Sequence, residues 1–211
     1  MKLLTFIILS MIAGIAPTLA QGLEGTYRLQ GGPEMAAEFH FARDGRFAFA
    51  FAYGAVDREA EGSYTLDNGL VVLNSSKTPG KDFTVKHRER RGEGFTVRIS
   101  DPNPWLTRHV MCLFKKGDQF DQQFSDDDNI VHSKWTECDS IFVVHALYPD
   151  AMTLVKDADD RENNYFELGL SSSLVGVSFK GVRPRLDGDT IVVEMPWLFE
   201  GKEAVFVKVG P

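Results

Sequence analysis

The sequence predicts an all-β protein, and three observations carry this prediction. Apolar and aromatic side chains recur at every second position along most of the chain, as strands require. Turn-forming pairs such as Asp44-Gly45, Asn68-Gly69 and Asp187-Gly188 separate these segments. Beyond the first twenty residues, no stretch shows the apolar stripe of an amphipathic helix. We therefore expect short antiparallel strands joined by tight turns.

The beginning of the chain predicts a secretory signal peptide at residues 1–20. Lys2 precedes an apolar run from Leu3 to Ile15, and the small residue Ala20 precedes the expected cut before Gln21. This run is short for a membrane span, and no later stretch is apolar enough for one. We expect a secreted or periplasmic protein with no transmembrane segment after the signal is removed.

The charge balance narrows the choice of partners. The chain has 23 Lys and Arg against 30 Asp and Glu, which gives a formal net charge of −7 at pH 7. A net acidic protein is a poor binder of polyanions, so nucleic acid and anionic membranes are not expected partners.

Period-two segments follow one another along the whole chain. The first part contains the expected strands GTYRLQG, AEFHFAR, RFAFAFAY, EGSYTL, LVVLNSS and FTVKHRER. The later part contains FTVRIS, HVMCLFKK, IFVVHALY, MTLVK, NYFELGL, VGVSFKGV, TIVVEM and AVFVKV. The proline-containing run 100–104 and the polar run 156–163 are the expected linkers.

These segments carry a resemblance to known folds. GTYRLQG, FARDGRF and EGSY followed by GLVVL together resemble the opening of a lipocalin-like (calycin-like) barrel. Residues 95–155 resemble the small β-sandwich of transthyretin-like or carboxypeptidase-regulatory-like modules, and the whole resembles uncharacterised secreted bacterial β proteins. The resemblance implies a fold and no activity.

The resemblance and the shared hairpin pattern of the two chain ends predict an interrupted barrel. We expect residues 21–94 and 160–211 to form a lipocalin-like antiparallel barrel, with residues 95–159 inserted as a small β-sandwich. Two tandem β domains are the alternative arrangement.

Aromatic residues at alternate positions form the main candidate binding surface. On three neighbouring expected strands, their rings share one sheet face: Tyr27, Phe39, Phe41, Phe47, Phe49, Phe51 and Tyr53. They either fill the barrel as a core or line a cavity for a small apolar ligand, with Tyr53 as its polar handle.

One basic cluster stands out in this acidic chain. Alternation places Lys86, Arg88 and Arg90 on one face of a hairpin, where Arg98 on the returning strand joins them. The cluster predicts a patch for an anion or a partner protein. A solvated face that discourages pairing at a sheet edge is the simpler interpretation.

The two cysteines predict a disulfide between Cys112 and Cys138, because an exported protein meets an oxidising environment. Two buried thiols are the alternative. A zinc site is not expected, since His109 and Cys112, like Cys138 and His145, lie an odd number of residues apart and face opposite sides of a strand. No metal and no cofactor are predicted.

No motif for catalysis is present, so no catalytic residue is predicted. The chain lacks a nucleophile elbow, a metalloprotease helix motif and a phosphate loop. Asp57, Glu59 and Glu61, with His40 opposite, are expected to form the polar side of a half-buried strand.

Two hypotheses of function follow. The first is an exported non-enzymatic envelope or periplasmic protein of structural or interaction type, in which the sandwich contacts an envelope protein. The alternative is a carrier or sensor that holds a small apolar ligand inside the barrel.

Overall fold

The structure, a computed structural model, describes residues 23–31, 34–67, 70–199 and 203–210. The expected signal peptide lies outside these residues. The described chain is all-β apart from one short helix, α1 (Pro104–Thr107). In chain order, the strands are β1 (Gly25–Leu29), β2 (Met35–Phe41), β3 (Arg46–Tyr53), β4 (Val56–Asp67), β5 (Leu70–Ser75), β6 (Phe83–Glu89), β7 (Phe95–Ile99), β8 (Val110–Lys116), β9 (Gln119–Phe124), β10 (Ile130–Ser133), β11 (Ser140–His145), β12 (Tyr148–Lys156), β13 (Tyr165–Leu170), β14 (Lys180–Val182), β15 (Arg185–Asp187), β16 (Thr190–Glu194) and β17 (Glu203–Val209).

Nine strands form one curled half-barrel, which we call the barrel sheet. Its order is β14-β5-β4-β3-β2-β1-β17-β16-β15, so strands from both ends of the chain belong to the same sheet. β17 pairs with β1 in an antiparallel ladder that aligns Tyr27 with Lys208. The strands β6 to β13 lie between these two groups in the chain and belong to other sheets. The inserted arrangement is therefore confirmed, and tandem domains are not observed.

The insertion consists of two four-stranded sheets around a shared apolar core. The first sandwich sheet has the order β10-β7-β13-β6, and the second has the order β12-β11-β8-β9. Alternate residues from both sheets meet in one cluster of buried side chains that includes Val97, Phe114, Ile141 and Phe166. This is the arrangement of a β-sandwich.

The boundaries of the sandwich differ from the expected 95–159. β6 pairs with β13, and β13 also runs parallel to β7, so the sandwich extends from Phe83 to Leu170. Alternation in β6 and β13 shows that one face of each strand is buried, but it does not show which of two cores receives that face.

Three strands were not predicted, and one predicted strand is largely irregular. β9, β10 and β15 are short or rich in polar residues, which weakens their period-two signal. Of the segment VGVSFKGV, only Lys180–Val182 pairs as a strand. The preceding turn still places Val177 and Phe179 in the core of the barrel sheet.

Candidate functional site

Six of the seven predicted aromatic residues lie on the inner face of the barrel sheet. The ladders align Tyr27 with Phe39 and Phe39 with Phe49, which sets their rings side by side across three strands. The ring centroids of Phe39 and Phe49 are 4.6 Å apart. All six residues are buried: Tyr27, Phe39, Phe41, Phe47, Phe49 and Phe51.

Other aromatic rings occupy the space in front of this wall. The ring centroid of Phe179 lies 5.1 Å from that of Phe49 and 5.5 Å from that of Phe39. Phe206 on β17 approaches Phe39 at 4.8 Å with the edge-to-face geometry that aromatic pairs favour. The inner face of the barrel sheet is therefore packed ring against ring, as in a filled core.

Tyr53 does not belong to the wall. It is the last residue of β3, pairs with Val56 across the Gly54-Ala55 turn, and is 40% exposed. Alternation alone does not show where a strand leaves the core, so it placed Tyr53 with the other rings. The hydroxyl of Tyr53 is consequently not a polar handle inside the barrel.

The hairpin that was expected to join the four cations of the predicted basic patch is not observed. β13 lies between β6 and β7, which separates Arg98 from the cations of β6. A register shift in the β6–β13 ladder, between the partners of Glu167 and Leu168, also disturbs the alternation along β6.

As a result, Lys86 and Arg88 have different surroundings. Lys86 covers Gly169, where an added Cβ would meet the Cε atom of Lys86. Arg88 is aligned with the core residue Phe166, and its Nη1 lies 3.2 Å from Oδ2 of Asp160. Arg90 follows β6 and is exposed.

The expected disulfide is absent, and both Cys112 and Cys138 are buried free thiols. Asp139 donates its backbone N–H to the carbonyl of Lys115 at 2.7 Å, which places Cys138 beside that end of β8. Cys112 lies three residues further along β8, and this corresponds to about 10 Å at the rise of a strand. A disulfide needs about 4.4 to 6.8 Å between Cα atoms. Burial raises the pKa of both thiols.

The histidines give no metal centre in the described part of the chain, where no three His, Cys, Asp or Glu side chains are grouped closely enough to hold an ion. His145 is instead a fully bonded neutral residue. Its Nε2–H donates to the carbonyl of Leu106 at 2.8 Å, and its Nδ1 accepts the N–H of Leu147 at 3.2 Å. Burial lowers the pKa of His145 to about 4.

Four buried charges lie where the barrel sheet meets the sandwich, and the sequence analysis missed them. We call this group the junction cluster: Arg58, Lys77, Asp82 and Asp150. The Nη2 atom of Arg58 lies 2.5 Å from Oδ1 of Asp150. Nζ of Lys77 lies 3.1 Å from Asp82 and 3.6 Å from Asp150. The cluster thus pairs two cations with two carboxylates.

Backbone groups also bond to the junction cluster. Arg58 and Lys77 both donate to the carbonyl of Gly176, at 2.7 and 2.9 Å. Asp150 accepts the backbone N–H of Ser178 at 2.8 Å. No side chain of the cluster is more than 4% exposed. The pair between Arg58 on β4 and Asp150 on β12 therefore ties the barrel sheet to the sandwich.

Burial dominates the electrostatics of Asp82. It raises the pKa of this carboxyl, while the nearby Lys77 ammonium acts in the opposite direction.

A signal for the cluster did exist in the sequence, because Arg58 stands at an inward position of β4, between the inward residues Val56 and Ala60. A charged residue on the buried side of a strand requires a buried partner.

The outer face of the second sandwich sheet is apolar, which the sequence analysis also missed. Phe120 and Phe124 on β9 are 56% and 60% exposed, and Met152 and Leu154 on β12 are 44% and 50% exposed. Three partly buried residues connect them across the sheet: Met111, Leu113 and Phe142. The ladders align Met111 with Phe124, and Phe142 with Leu154. We call this surface the apolar face.

The missed apolar face has a simple explanation. QFDQQF carries its two phenylalanines four residues apart among polar residues, and it was not recognised as a strand. Phe120, Gln122 and Phe124 nevertheless keep the period of two that places them on one side.

The fold and these surfaces define an all-β protein with a curled nine-stranded sheet and an inserted sandwich. No protein-family model, curated protein or solved structure matches this chain. In the described ranges, no helix is long and apolar enough to cross a membrane.

Proposed function

We propose that this chain is an exported, non-enzymatic protein of the envelope or periplasm that docks a partner protein through its apolar face. The observation that carries the proposal is the exposure of Phe120, Phe124, Met152 and Leu154 on one side of a regular sheet. Soluble monomers rarely expose contiguous apolar patches of more than a few hundred Å². Such a face is typical of an interaction surface.

The composition and shape of the apolar face suit a protein partner. A flat sheet face packs against a second sheet at about 10 Å, with side chains interdigitating. Lys115 is the charged residue among the outward positions of β8 and β9, and its Nζ lies 5.9 Å from the ring centroid of Phe120. Interface cores are depleted of charge and enriched in aromatic residues and methionine.

The interior of the protein supports a binding role more than a catalytic or carrier role. The rings of the barrel sheet contact the rings of Phe179 and Phe206, which leaves them packed against protein rather than ligand. The titratable side chains of the junction cluster pair with one another and are closed to solvent. Both features act as scaffold for the surfaces outside.

Site-specific crosslinking tests the docking. A photoreactive amino acid in place of Phe124 should give a discrete crosslinked product in the native envelope. The same amino acid in place of the exposed Asp187, on the barrel sheet, is the matched control and should not. The substitution Leu154→Ser in the Phe124 probe chain should weaken the product, since Leu154 lies on the same face. Equal or absent crosslinking from both probe positions would reject the docking role.

Export is tested on the mature protein. Mass spectrometry of the chain purified from the periplasm or medium should show a first residue at Gln21, as the small residues before it predict. A chain that keeps Met1 and stays in the cytoplasm would contradict the exported role.

A further inference from the structure

The outer face of β3 forms a groove with a floor of alanines. Phe47, Phe49 and Phe51 point to the core, so Ala48, Ala50 and Ala52 point outward and are exposed. Two clefts lie side by side along this strand. One of about 710 Å³ is lined by Ala50 and Ala52, and one of about 580 Å³ is lined by Ala48. Three methyl groups therefore provide an apolar, shallow floor.

A row of carboxylates forms one wall of this groove. The β3–β4 ladder aligns Ala52 with Asp57, Ala50 with Glu59 and Ala48 with Glu61. All three acidic residues are exposed. Residues two apart on a strand are separated by about 6.8 Å, so the carboxylates recur at that interval along the floor.

This wall carries negative charge that forms no ion pair with the described residues. In the part of the chain that the structure describes, no cationic side chain lies within 4.0 Å of the carboxylates of Asp57, Glu59 or Glu61. Arg58, between them in sequence, turns to the opposite side of the sheet and pairs with Asp150.

Two arginines that line the groove are already paired. On the opposite wall, Arg28 and Glu38 form an ion pair at 2.7 Å. Arg46, which lines the smaller cleft, pairs with Asp44 at 2.7 Å. The excess of negative charge therefore lies along β4, where it attracts cations from another molecule.

The geometry determines the shape of the occupant. The strands β2 and β4 that form the walls are two strand spacings apart, about 10 Å between their backbones. An α-helix with its side chains is about 10 to 12 Å across, and it does not fit between walls that also carry side chains. An extended chain does fit.

The occupant lies on side chains rather than adding a strand. β3 is paired along its length with β2 on one side and β4 on the other, so its backbone has no free edge. A single metal ion does not suit the wall either, because the carboxylates are spread along the strand. Within the described residues, no three His, Cys, Asp or Glu side chains are grouped so that they could hold a metal ion.

We propose that this groove binds an extended polypeptide segment with lysine or arginine at alternate positions. Side chains on one side of an extended chain recur at about 6.8 Å, which matches the interval of Asp57, Glu59 and Glu61. The backbone of the segment lies over the alanine methyl groups, while its cations pair with the carboxylates. This site is separate from the apolar face, and its failure leaves the proposed docking through that face untouched.

A labelled peptide tests the proposal on the full mature chain. Fluorescence anisotropy should show saturable binding of Lys-Thr-Lys-Thr-Lys-Thr that weakens as salt rises. The peptide Lys-Lys-Lys-Thr-Thr-Thr has the same charge without the spacing, and it should bind at least tenfold more weakly.

Two protein variants with matched controls separate shape from charge. Ala50→Leu fills the floor without changing charge and should reduce affinity at least tenfold, whereas Ala146→Leu at an exposed turn should not change it. Glu59→Gln should weaken binding about fivefold or more, whereas Glu162→Gln, with the same change of net charge, should not.

Three results would each contradict the proposal that this groove binds a cationic peptide. No saturable binding of the alternating peptide would do so. Equal affinity for both peptides would show attraction to net charge alone. Equal affinity of the Ala50→Leu variant and the original chain would place any binding elsewhere.

Discussion

The barrel sheet and the second sandwich sheet differ in what their outer faces carry. In β3, phenylalanine rings point inward and alanines outward, and these alanines are aligned with charged residues on β4. In β8 and β11, both faces are apolar, since buried Cys112 and Ile141 alternate with Leu113 and Phe142. A sheet with one apolar face has a single side to bury. A sheet with two has a core side and a side that suits a partner.

The largest expected effect contrasts these two kinds of aromatic residue. Phe49→Ala removes a ring that contacts Phe39 and Phe179, and such core truncations cost about 3 to 5 kcal/mol. Phe124→Ala removes a ring that is 60% exposed, and surface changes of this kind stay within about 0.5 kcal/mol. Urea melts of the two variants and the parent give the difference.

The same melts distinguish a core from a ligand cavity. In a cavity, Phe49→Ala would be mild and the parent would bind an apolar, environment-sensitive dye at one saturable site. We expect severe destabilisation instead, and a dye signal in the parent that disappears when Phe120 and Phe124 are both changed to serine. A mild effect of Phe49→Ala together with dye binding that survives the serine changes would favour the carrier hypothesis.

The next effect concerns the connection between the two regions. Asp150→Asn leaves Arg58 and Lys77 buried beside one carboxylate, and breaking a buried ion pair in this way costs about 3 kcal/mol or more. Glu137→Gln breaks the exposed pair with Lys116, which is 2.7 Å long, and should cost much less because solvent screens this pair. Thermal melts of both variants measure the contrast, and equal losses would show that the junction cluster contributes no more than a surface pair.

A smaller effect appears as a dependence of sandwich stability on pH. His145 has a folded pKa of about 4, below its usual 6.5, so the unfolded chain binds more protons between these values. The contribution of His145 to stability is complete above pH 6.5 and is lost as pH falls toward 4. At 1.36 kcal/mol per pKa unit, the loss is about 3 kcal/mol at most.

The variant His145→Gln isolates this effect. Between pH 6.5 and 4, the free energy of unfolding of this variant should change less with pH than that of the parent, because glutamine does not titrate. Asp82, whose pKa burial raises, contributes with the opposite sign, since its stabilisation is lost as pH rises above the unfolded pKa. The informative quantity is therefore the difference in free energy of unfolding between the parent and the His145→Gln variant at each pH. Parallel curves would show that protonation of His145 does not destabilise the fold.

The comparison also explains what the sequence was able to predict. Alternation correctly placed Phe47, Phe49 and Phe51 on the inner face, because β3 is regular and its other face is made of alanines. The pairing of the chain ends and the all-β class followed from turn chemistry and shared hairpin patterns. These features depend on local sequence.

The errors depend on contacts that local sequence does not encode. β13 lies between β6 and β7, so the expected hairpin between the strands of Arg88 and Arg98 does not form. The register of β8 and β11 left Cys112 too far from Cys138. Arg58 was visible as an inward charge, but its partner Asp150 is distant in sequence and belongs to the sandwich.

The pairing of β1 with β17 has a consequence for how the chain acquires its structure. The sandwich strands end at Leu170, so they are able to pair before the rest of the chain is available. The edge of β1 has its partner only when Val209 arrives, near the end of the chain. Contacts between residues this distant are slow to form, and an open strand edge invites other chains in the meantime. We therefore expect the nine-stranded sheet to close last, during the interval in which the protein is most prone to aggregate.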